Sequence, residues 1–450
     1  MNTTITIPKE VKFLLDQLHQ HGWEAYVVGG CVRDSLLGKS PDDWDITTSA
    51  LPLQTKEALP GIPVLDTGLQ HGTVTAVLNK KPFEITTYRT DGVYTDHRRP
   101  DQVTFTRSLQ EDLARRDFTI NALAYHPEQG LLDYFGGLED LRQNILRCVG
   151  IPTQRFQEDA LRIFRALRFA STLGFSMETA TAQAALQQKS LLHHVAAERL
   201  QTELKKFLCG SDCEAVLRQF APVLFEILPE LSPMIDCTQH HPYHVYSVWE
   251  HTLHAVGAIE ADPILRLTML LHDSGKPAVK TTDENGIDHF YGHAASSMEI
   301  AESILRRLKF DHHTQERIPL LVKHHDLPLT PTIPWIKRKL NRFGTEVFSQ
   351  LLSIHQADIL AQNPALNHRV SMIEECRNLM AEILEQNQCF SIRHLAVNGH
   401  DLLDLGIPEG KEIGRILNQL LEAVIDGACE NTRPSLLEQT RKWLPISEAY

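Results

Sequence analysis

Residues 26–45 read YVVGGCVRDSLLGKSPDDWD, and this stretch decides the fold of the first part of the chain. Residues 26–28 are apolar and predict a buried strand that ends at Gly29 and Gly30. Glycines let the backbone approach a ligand closely, and the free N–H groups at the start of a following helix attract anions. Arg33 adds a planar fork that suits phosphate oxygens. The stretch therefore predicts a strand, a phosphate-binding turn and a helix.

Two aspartates complete this pattern. Asp43 and Asp45 are spaced to share one face of a second strand, because strand side chains alternate with a period of two. Two carboxylates on one face can hold divalent metal ions against a triphosphate. Glu84, in the strand-like run 83–89, is the candidate third carboxylate, since two metals need more ligands than two aspartates provide; a solvent-facing strand carboxylate is the alternative. The combination indicates nucleotidyl transfer.

The next polar pair lies in the run 115–123. Asp117 and Asn121 are four residues apart, so on a helix they share a face, where their acceptors and donors can grip a ribose. The run 133–141, DYFGGLEDL, predicts a strand end, a glycine turn and a helix start, and we expect a structural role for it.

Residues 158–169 predict an amphipathic helix. Its apolar residues recur at helical spacing, and its charged residues recur by three on another face. The apolar positions are Leu161, Phe164 and Leu167, and the charged ones are Asp159, Arg162 and Arg165. An ordinary charged surface is the alternative interpretation of the second face.

Five ordered motifs over half of the chain resemble those of the class II tRNA nucleotidyltransferases, which are the CCA-adding enzymes, and of the related bacterial poly(A) polymerases. The motifs are GGCVRD from Gly29 with Asp43-Trp44-Asp45, RRDFTINA from Arg115, DYFGGLEDL from Asp133, EDALRIFR from Glu158, and AAERLQTEL from Ala196. The last motif usually has serine where this chain has Ala197, so the resemblance does not supply a serine hydroxyl there. The implied fold class is α+β: a polymerase-beta-like head with a mixed sheet and helices, followed by mostly α-helical neck, HD and tail domains.

The resemblance implies Mg²⁺-dependent, template-independent addition of C, C and A to the 3′ end of tRNA from CTP and ATP. It implies that Asp43 and Asp45 bind the metal. The residues that it places at the nucleotide are Gly29, Gly30 and Arg33 at the triphosphate, Arg116, Asp117 and Asn121 near the sugar and base, and Asp159 and Arg162 at the base edge, with Arg165 and Arg168 nearby.

Base chemistry supports the last of these roles. Cytosine and adenine each show an exocyclic amino donor beside a ring-nitrogen acceptor, whereas uracil and guanine show the opposite order on that edge. Asp159 can accept from the amino group and Arg162 can donate to the ring nitrogen. The same two side chains are therefore expected to admit CTP and ATP and to reject UTP and GTP.

Histidines are concentrated in the second half of the chain. Twelve of the 23 histidines fall between residues 240 and 326. Imidazole and carboxylate groups suit a transition metal or Mg²⁺ that holds water for hydrolysis. The ordered series is His251, His272, Asp273, His293, His324, His325 and Asp358.

This series resembles the HD superfamily of metal-dependent phosphohydrolases. The resemblance implies a divalent metal of unspecified identity on His251, His272, Asp273 and Asp358. It implies that a second metal is possible on the remaining members, which are His293, His324 and His325. An HD domain attached to such a head suggests phosphatase or cyclic-phosphodiesterase action on RNA ends. A metal-empty domain that only spaces the tRNA is the alternative.

Composition sets the outer limits. The chain has 450 residues, enough for about three domains. Its residues include no apolar run of membrane-spanning length, and its first residues lack the pattern of a signal peptide. Eight cysteines without a Cys-x-x-Cys pair favour a reduced, cytoplasmic protein. A net charge of −13 argues against a sequence-blind nucleic-acid coat, although local basic faces suffice for one shaped RNA partner.

Composition and periodicity predict boundaries near residues 140, 228 and 364. Together with the two resemblances they predict a nucleotidyltransferase head at 1–140, a helical neck at 141–228, an HD-like domain at 229–364 and a helical tail at 365–450. The tail resembles that of Gram-positive-type CCA-adding enzymes, which implies contact with tRNA; a helix-turn-helix that only packs is the alternative. The stretch from Pro229 to Pro242 is proline-rich and predicts a linker.

Two alternatives remain open. The first is an A-adding or poly(A)-adding enzyme, and the acidic net charge disfavours the poly(A) form. The family resemblance implies that C-only adders are short in the loop that contains Asp91-Gly92 and Arg98-Arg99-Pro100, so this loop argues against a C-only adder without separating CCA from A addition. The second makes hydrolysis at the HD site the main activity and the head an RNA-holding module. Asp43 and Asp45 count against that alternative, since a mere binding module does not need paired metal ligands.

Overall fold

The computed structural model describes residues 4–92, 103–240 and 243–443. They form two compact units. Within these ranges, the first unit comprises the described residues up to 232 with 307–310, and the second comprises the described residues of 233–306 and those from 311 onward. The division after Ser232 falls inside the predicted linker. The four-domain organisation stays a prediction.

The first unit, as far as it is described, contains both strands and helices. Its strands are β1 (Ala25–Val28), β2 (Ile46–Thr48), β3 (Val64–Gly68), β4 (Thr73–Leu78), β5 (Lys81–Thr87), β6 (Arg89–Asp91), β7 (Val103–Phe105), β8 (Leu123–His126), β9 (Gly130–Asp133), β10 (Ile145–Leu146) and β11 (Ser176–Met177). Its helices are α1 (Lys9–Gln20), α2 (Gly30–Leu36), α3 (Pro52–Glu57), α4 (Leu109–Ala114), α5 (Gly137–Gln143), α6 (Pro152–Glu158), α7 (Leu161–Leu173), α8 (Thr179–Gln187), α9 (Ala197–Leu208) and α10 (Cys213–Ile227).

A mixed sheet organises the first unit. Its strand order is β3-β4-β5-β2-β1-β8-β9. Strands β2 and β5 are parallel, with Ile46 opposite Ile85, and the other neighbours in this sheet are antiparallel. All four residues of β1 are buried, as the apolar run predicted. The sheet and its helices confirm the α+β fold class.

Two local predictions need correction. Asp117 and Asn121 do not share an α-helix, because residues 119–121 form a 3-10 turn. The predicted helix at 158–169 is broken: α6 ends at Glu158, α7 begins at Leu161, and Asp159 between them is extended, with φ −133° and ψ 102°. The apolar stripe of α7 is nevertheless buried as predicted.

The second unit is mostly helical. Its elements are α11 (Val248–Ala258), α12 (Pro263–Leu271), α13 (Lys276–Val279), the hairpin β12 (Thr281–Thr282) and β13 (Asp288–His289), α14 (His293–Arg307, whose last residue clusters with the first unit), α15 (His312–Lys323), α16 (Ile333–Leu360), α17 (Val370–Glu385), α18 (Gly399–Leu403), α19 (Lys411–Ile425) and α20 (Arg433–Trp443). Gly344, at φ 75°, interrupts α16. One apolar core joins α16 to α17, and another joins α18 to α19 and α20.

Three further expectations can be placed on the structure. The predicted loop after Tyr88 begins with β6, which pairs with β7, while Arg98-Arg99-Pro100 lie outside the described residues. All eight cysteines are free thiols. Within the described ranges, the helices lack the combination of length and hydropathy that crossing a membrane requires.

Candidate active site and histidine–carboxylate cluster

Gly29 sits where β1 ends and α2 begins. Its φ of 79° lies in the left-handed region that favours glycine. A Cβ at this position would lie 2.8 Å from Nη1 of Arg116. Arg116 is buried deeply enough that loss of hydration lowers the pKa of its guanidinium, although Asp112 and Asp45 partly offset this. Glycine therefore allows the half-buried Arg116 cation to approach the turn predicted to bind phosphate.

The three predicted carboxylates lie near one another at two adjacent inner strands of the sheet, before β2 and within β5. Strand β2 starts at Ile46, so Asp43 and Asp45 precede the strand instead of lying within it, although the Asp45 carbonyl accepts the Val28 amide at 3.0 Å. Because Ile46 pairs with Ile85 in parallel register, the residues before them, Asp45 and Glu84, are neighbours across the strands.

Electrostatics show that these carboxylates interact. Loss of hydration is the largest cause that raises the pKa of Asp45; Asp43 raises it further, and Arg116 opposes both. Loss of hydration also raises the pKa of Glu84, and the charges of Asp45 and Asp43 add to this effect. All three residues remain open to solvent. Mutually repelling carboxylates with room for a ligand fit a divalent cation, which would relieve the repulsion. Among the described residues, the groups of three or more possible metal ligands whose atoms all lie within 4.8 Å of one another are in the second unit. Asp43, Asp45 and Glu84 do not form such a group.

A chain of polar contacts leads from Arg33 into the helical part of the first unit. Nη1 of Arg33 donates to Oδ1 of Asn121 at 2.7 Å, and Nδ2 of Asn121 donates to Oδ1 of Asp117 at 3.0 Å. Oδ2 of Asp117 accepts Nε and Nη2 of Arg165 at 2.9 and 2.6 Å. The carboxylate of Asp34 accepts hydrogen bonds from Nε and Nη2 of Arg33, at 2.9 and 2.8 Å. The pair predicted to grip a ribose is therefore committed to internal contacts.

The charge state of Asp117 follows from this arrangement. Burial alone would raise the pKa of Asp117, but the Arg165 charge and the hydrogen bonds from Asn121 and Arg165 hold it well below its usual range. Asp117 is consequently an acceptor only, and it orients two donor side chains, those of Asn121 and Arg165.

Three guanidinium groups surround the ring of Phe169. Those of Arg33, Arg165 and Arg168 lie 5.0, 5.3 and 3.8 Å from the ring centroid. Glu203, in α9, lies 2.8 Å from Nε of Arg168 and 3.8 Å from Nη1 of Arg165. Burial lowers the pKa of Arg168 to about 10, against the opposing effect of Glu203.

The two predicted base-reading residues are both held by the protein. Asp159 accepts Nη1 and Nη2 of Arg199 at 3.2 and 2.9 Å. Nη1 of Arg162 donates to Oε2 of Glu158 at 2.7 Å, and its Nη2 donates to the Arg115 carbonyl at 2.7 Å. Asp159 lies in the break between α6 and α7, whereas Arg162 lies in α7, so the two side chains do not share a continuous helix face.

Sequence reasoning missed two supporting residues in α9. Arg199 and Glu203 both lie in the AAERLQTEL run, where periodicity alone predicts an amphipathic helix. Their partners, Asp159 and Arg168, lie 40 and 35 positions earlier (199 − 159 and 203 − 168). A charged residue on such a helix gives no local sign of a distant partner.

Most of the predicted histidine series meets in one cluster inside the second unit. Nε2 of His251 and Nε2 of His272 are 3.2 Å apart. Oδ2 of Asp273 lies 3.4 and 3.2 Å from those two nitrogens. Oδ1 of Asp358 lies 3.0 Å from Nε2 of His251 and 3.6 Å from that of His272. These four residues form the first group.

A second group shares Asp273 with the first. Nε2 of His293 and Nε2 of His325 are 3.2 Å apart. Oδ1 of Asp273 lies 3.6 and 3.7 Å from them. This oxygen has no hydrogen-bond donor among the described residues, although it is buried. Asp273 thus presents one oxygen to each group.

Backbone carbonyls orient all four imidazoles. Each Nδ1 lies within hydrogen-bond distance of a carbonyl, which can only accept, so each Nδ1 carries the proton and each Nε2 turns inward. The pairs are His251 with Ala361 at 3.1 Å, His272 with Met269 at 2.7 Å, His293 with Phe290 at 2.9 Å and His325 with Val322 at 2.7 Å.

The cluster attracts positive charge. Asp273 is buried and Asp358 is half-buried, and loss of hydration would raise the pKa of both carboxyl groups. The neighbouring His272 and His251 nevertheless hold the pKa of each well below its ordinary value. Although burial lowers it, those carboxylates raise the pKa of His272 to about 10. Converging Nε2 atoms around ionised carboxylates fit two divalent metal ions, with Asp273 between them.

His324 is the exception in the predicted series. Its ring packs against Phe343 at 5.0 Å between centroids, and its Nε2 lies 3.5 Å from Nη2 of Arg342. Burial lowers the pKa of His324, and the charge of Arg342 lowers it further. Adjacent residues after a helix end point in different directions, and here His325 is the one that enters the cluster.

The fold and the carboxylate site together define the class of the first unit. Residues 25–147 match the family model described as the poly A polymerase head domain. Residues 174–235 match a probable RNA and SrmB-binding site of polymerase A, and residues 281–440 match a putative second domain of tRNA nucleotidyltransferase. The first unit is therefore built on a nucleotidyltransferase head of the poly(A) polymerase class.

Full-length relatives narrow the assignment. The chain is 34% identical over 438 residues to the CCA-adding enzyme of Limosilactobacillus reuteri, covering 95% of each chain. It is 35% identical over 447 residues to that of Geobacillus stearothermophilus, covering 97% of this chain and 96% of the relative. The crystal structure of the Bacillus stearothermophilus CCA-adding enzyme in complex with CTP matches with a TM-score of 0.71 and 31% identity, over 97% and 99% of the two chains. The chain belongs to the family of CCA-adding enzymes, which confirms the resemblance of its motifs; the HD resemblance stays a prediction.

Proposed function

We propose that this protein adds C, C and A to the 3′ end of tRNA, taking the nucleotides from CTP and ATP. One observation carries the proposal: the charges of Asp43, Asp45 and Glu84 act on one another beside the Gly29 turn. The chain that holds this site aligns over nearly its whole length with enzymes named for CCA addition. The match to a tRNA nucleotidyltransferase domain supports tRNA as the acceptor. The free thiols agree with a cytoplasmic location.

The first two of these carboxylates are the proposed metal ligands. Asp43 and Asp45 would hold Mg²⁺, the hard cation that carboxylates and triphosphates share, and Glu84 would complete the negative field. When bound, the metal lowers the pKa of the attacking 3′ hydroxyl and steadies the pyrophosphate that leaves.

The protein's own residues supply position and charge. Arg116, which lies close to Gly29, and Arg33, which is held by Asn121, place positive charge where the triphosphate would lie. Asp117 binds both Asn121, which positions Arg33, and Arg165 of α7. One carboxylate therefore orients the proposed phosphate-binding arginine and this helix together.

Base choice falls to Asp159 and Arg162. Arg199 orients the Asp159 carboxylate as an acceptor, and Glu158 fixes the position of the Arg162 guanidinium. An acceptor next to a donor matches the amino group and ring nitrogen that cytosine and adenine share.

Incubating the purified protein with tRNA that lacks its 3′ CCA, and with each labelled nucleotide in turn, tests the proposal. We expect CTP to be incorporated without ATP, and ATP to follow two cytidines. Incorporation of A alone onto tRNA ending in CC would instead identify an A-adding enzyme, and long A tracts a poly(A) polymerase. Asp45→Asn should abolish incorporation, whereas Asp42→Asn, an exposed neighbour, should retain it. Full activity of Asp45→Asn would leave the head as an RNA-holding module.

A second candidate function rests on the cluster in the second unit. We propose that His251, His272, Asp273 and Asp358 hold one divalent metal and that His293, His325 and Asp273 hold another. Such metals supply an activated water for phosphate-ester hydrolysis. For an RNA end with a 3′ phosphate, water adds its oxygen to phosphorus, the P–O3′ bond breaks, and O3′ leaves with a proton as a hydroxyl group.

Measuring phosphate release from a 3′-phosphorylated RNA after loading with Mg²⁺, Mn²⁺, Ni²⁺ or Zn²⁺ tests this second activity. Asp273→Asn should abolish the release and leave CCA addition intact, because the residue lies in the other unit. If the wild-type protein releases no phosphate with any of the four metals, the hydrolase proposal is wrong.

A further inference from the structure

An exposed aromatic ring stands at the mouth of the cavity beside the histidine–carboxylate cluster. The cavity has a volume of about 320 Å³, and its lining includes His293 of the second group, Lys276 and Tyr291. Tyr291 is 80% exposed, the largest fraction among the exposed large hydrophobic residues of the described chain. Single exposed aromatics are common on proteins, so the surroundings of Tyr291 decide whether the exposure means anything.

The Tyr291 ring is held in a fixed plane. It stacks on His289, with 5.3 Å between centroids and 8° between planes. Its Oη lies 3.4 Å from Nδ1 of His289, and Nε2 of that histidine lies 3.1 Å from Oδ2 of Asp283. Oδ1 of Asp283 in turn accepts the amides of Asn285 and Ile287, both at 2.9 Å. The ring is therefore fixed through a closed turn.

The hairpin that carries His289 is anchored at its base. Strands β12 and β13 pair antiparallel, with Thr281 opposite His289. Asp288, only 2% exposed, accepts Nζ of Lys280 at 2.8 Å and the hydroxyl of Thr282 at 2.7 Å. A ring on such a support loses little conformational freedom when a ligand stacks on it.

The lining of the cavity includes the cation of Lys276, which lies next to the histidine–carboxylate cluster. Nζ of Lys276 lies 2.7 Å from Oδ2 of Asp273 and 2.8 Å from Oε1 of Gln239. Lys276 is 5% exposed, so its charge is fixed beside the group that the second proposed function uses. Along one cavity lie a rigid open aromatic ring, a fixed cation and His293, one member of the metal-type ligand set. They match the base, the phosphate and the ester bond of a nucleotide.

We infer that Tyr291, supported by His289, is a stacking platform for a nucleobase, and that the hydrolytic cavity takes phosphate esters that carry a base. This inference rests on the second proposed function. The ligand is a nucleotide 3′-phosphate, supplied either as a free nucleotide or as an RNA terminus. The base lies on Tyr291 while its phosphate faces Lys276 and the cluster, which makes the ring a specificity residue and leaves the hydrolytic step to the cluster.

Variants of the full-length protein test the platform. Tyr291→Leu removes the ring at an exposed position, and Tyr291→Phe keeps it while removing the hydroxyl. Adenosine 3′-monophosphate, glycerol 2-phosphate as a base-free secondary ester, and a short RNA with a 3′ phosphate serve as substrates. A second readout needs no activity: calorimetric binding of adenosine 3′-monophosphate to chelator-treated protein.

We expect Tyr291→Leu to raise KM for adenosine 3′-monophosphate about tenfold, within the range of base–aromatic stacking, and to weaken its binding equally. Tyr291→Phe keeps the ring and its stacking on His289 but loses the hydroxyl contact, so its KM and binding should change less than those of Tyr291→Leu; glycerol 2-phosphate should not distinguish the proteins. A larger effect on the RNA than on the free nucleotide identifies an RNA terminus as the source, and the reverse identifies a free nucleotide. Equal binding and equal KM in wild type and Tyr291→Leu overturn the platform. If no substrate is hydrolysed, the hydrolase is overturned, and the binding comparison still decides the platform.

Discussion

Replacing Asp117 with asparagine should destabilise the first unit and loosen its nucleotide site together. The carboxylate accepts the Phe118 amide at 2.9 Å, Asn121 at 3.0 Å and two donors of Arg165 at 2.9 and 2.6 Å. Asparagine keeps the shape but loses the charge, and it turns an amide donor toward groups that also donate.

The magnitude follows from what Arg165 retains. Removing one partner of a buried ion pair costs about 3–5 kcal/mol. The Arg165 side chain is 31% exposed and keeps Glu203 at 3.8 Å, so we place Asp117→Asn at the lower end, about 3 kcal/mol. For a unit of this size that corresponds to a fall in Tm of roughly 6–12 °C.

The Asp117→Asn substitution should also lower catalytic activity. The single amide oxygen of asparagine cannot serve both Arg165 and Asn121, and Arg33 depends on Asn121 for its position. Because small displacements of positioning groups are costly, kcat/KM for CTP should fall about tenfold or more at a temperature where the variant is folded. Asp16→Asn, which removes a surface ion pair with Lys12, is the control and should change neither quantity.

The pH dependence gives the sign of the effect. The pKa of Asp117 is lowered in the folded state, so its contribution to stability is present above the unfolded pKa of about 3.9 and is lost as pH falls toward the folded value. The Tm difference between wild type and Asp117→Asn should therefore be constant above about pH 5 and should narrow below about pH 4. A difference that widens on acidification, or a variant with unchanged Tm and kcat/KM, would refute the reasoning.

Three other substitutions separate the remaining roles. Asp45→Asn should abolish nucleotide incorporation while leaving Tm unchanged or slightly higher, because the raised pKa of Asp45 shows that its charge is unfavourable in the folded state; a clear drop in Tm would mean that Asp45 is structural. Asp159→Ala should allow UTP and GTP to compete in single-nucleotide incorporation assays, and unaltered selectivity would contradict its base-reading role. His325→Ala should lower the metal content of the second unit by one ion, measured by mass spectrometry after dialysis, whereas His324→Ala should leave it unchanged; equal losses would remove the distinction between the two histidines.

Local sequence patterns determined most elements around the head site. The apolar run before Gly29 predicted β1, and the run around Glu84 predicted β5, because burial on a sheet requires contiguous apolar residues that the chain itself displays. The motifs likewise sufficed to identify the family, since they lie within short segments. The break at Asp159 escaped the same reasoning, because residues 158–169 keep helical periodicity across it.

Only the tertiary structure decided which side chains meet. The parallel register of β2 and β5 makes Asp45 and Glu84 neighbours, and α9 brings Arg199 to Asp159. The choice of His325 over the adjacent His324 depends on where α15 ends and on the carbonyls that orient each ring, which no spacing in the chain encodes. Sequence fixes what a segment can form locally, whereas contacts between distant residues arise from packing of many segments at once, so their partners become visible only in the folded chain.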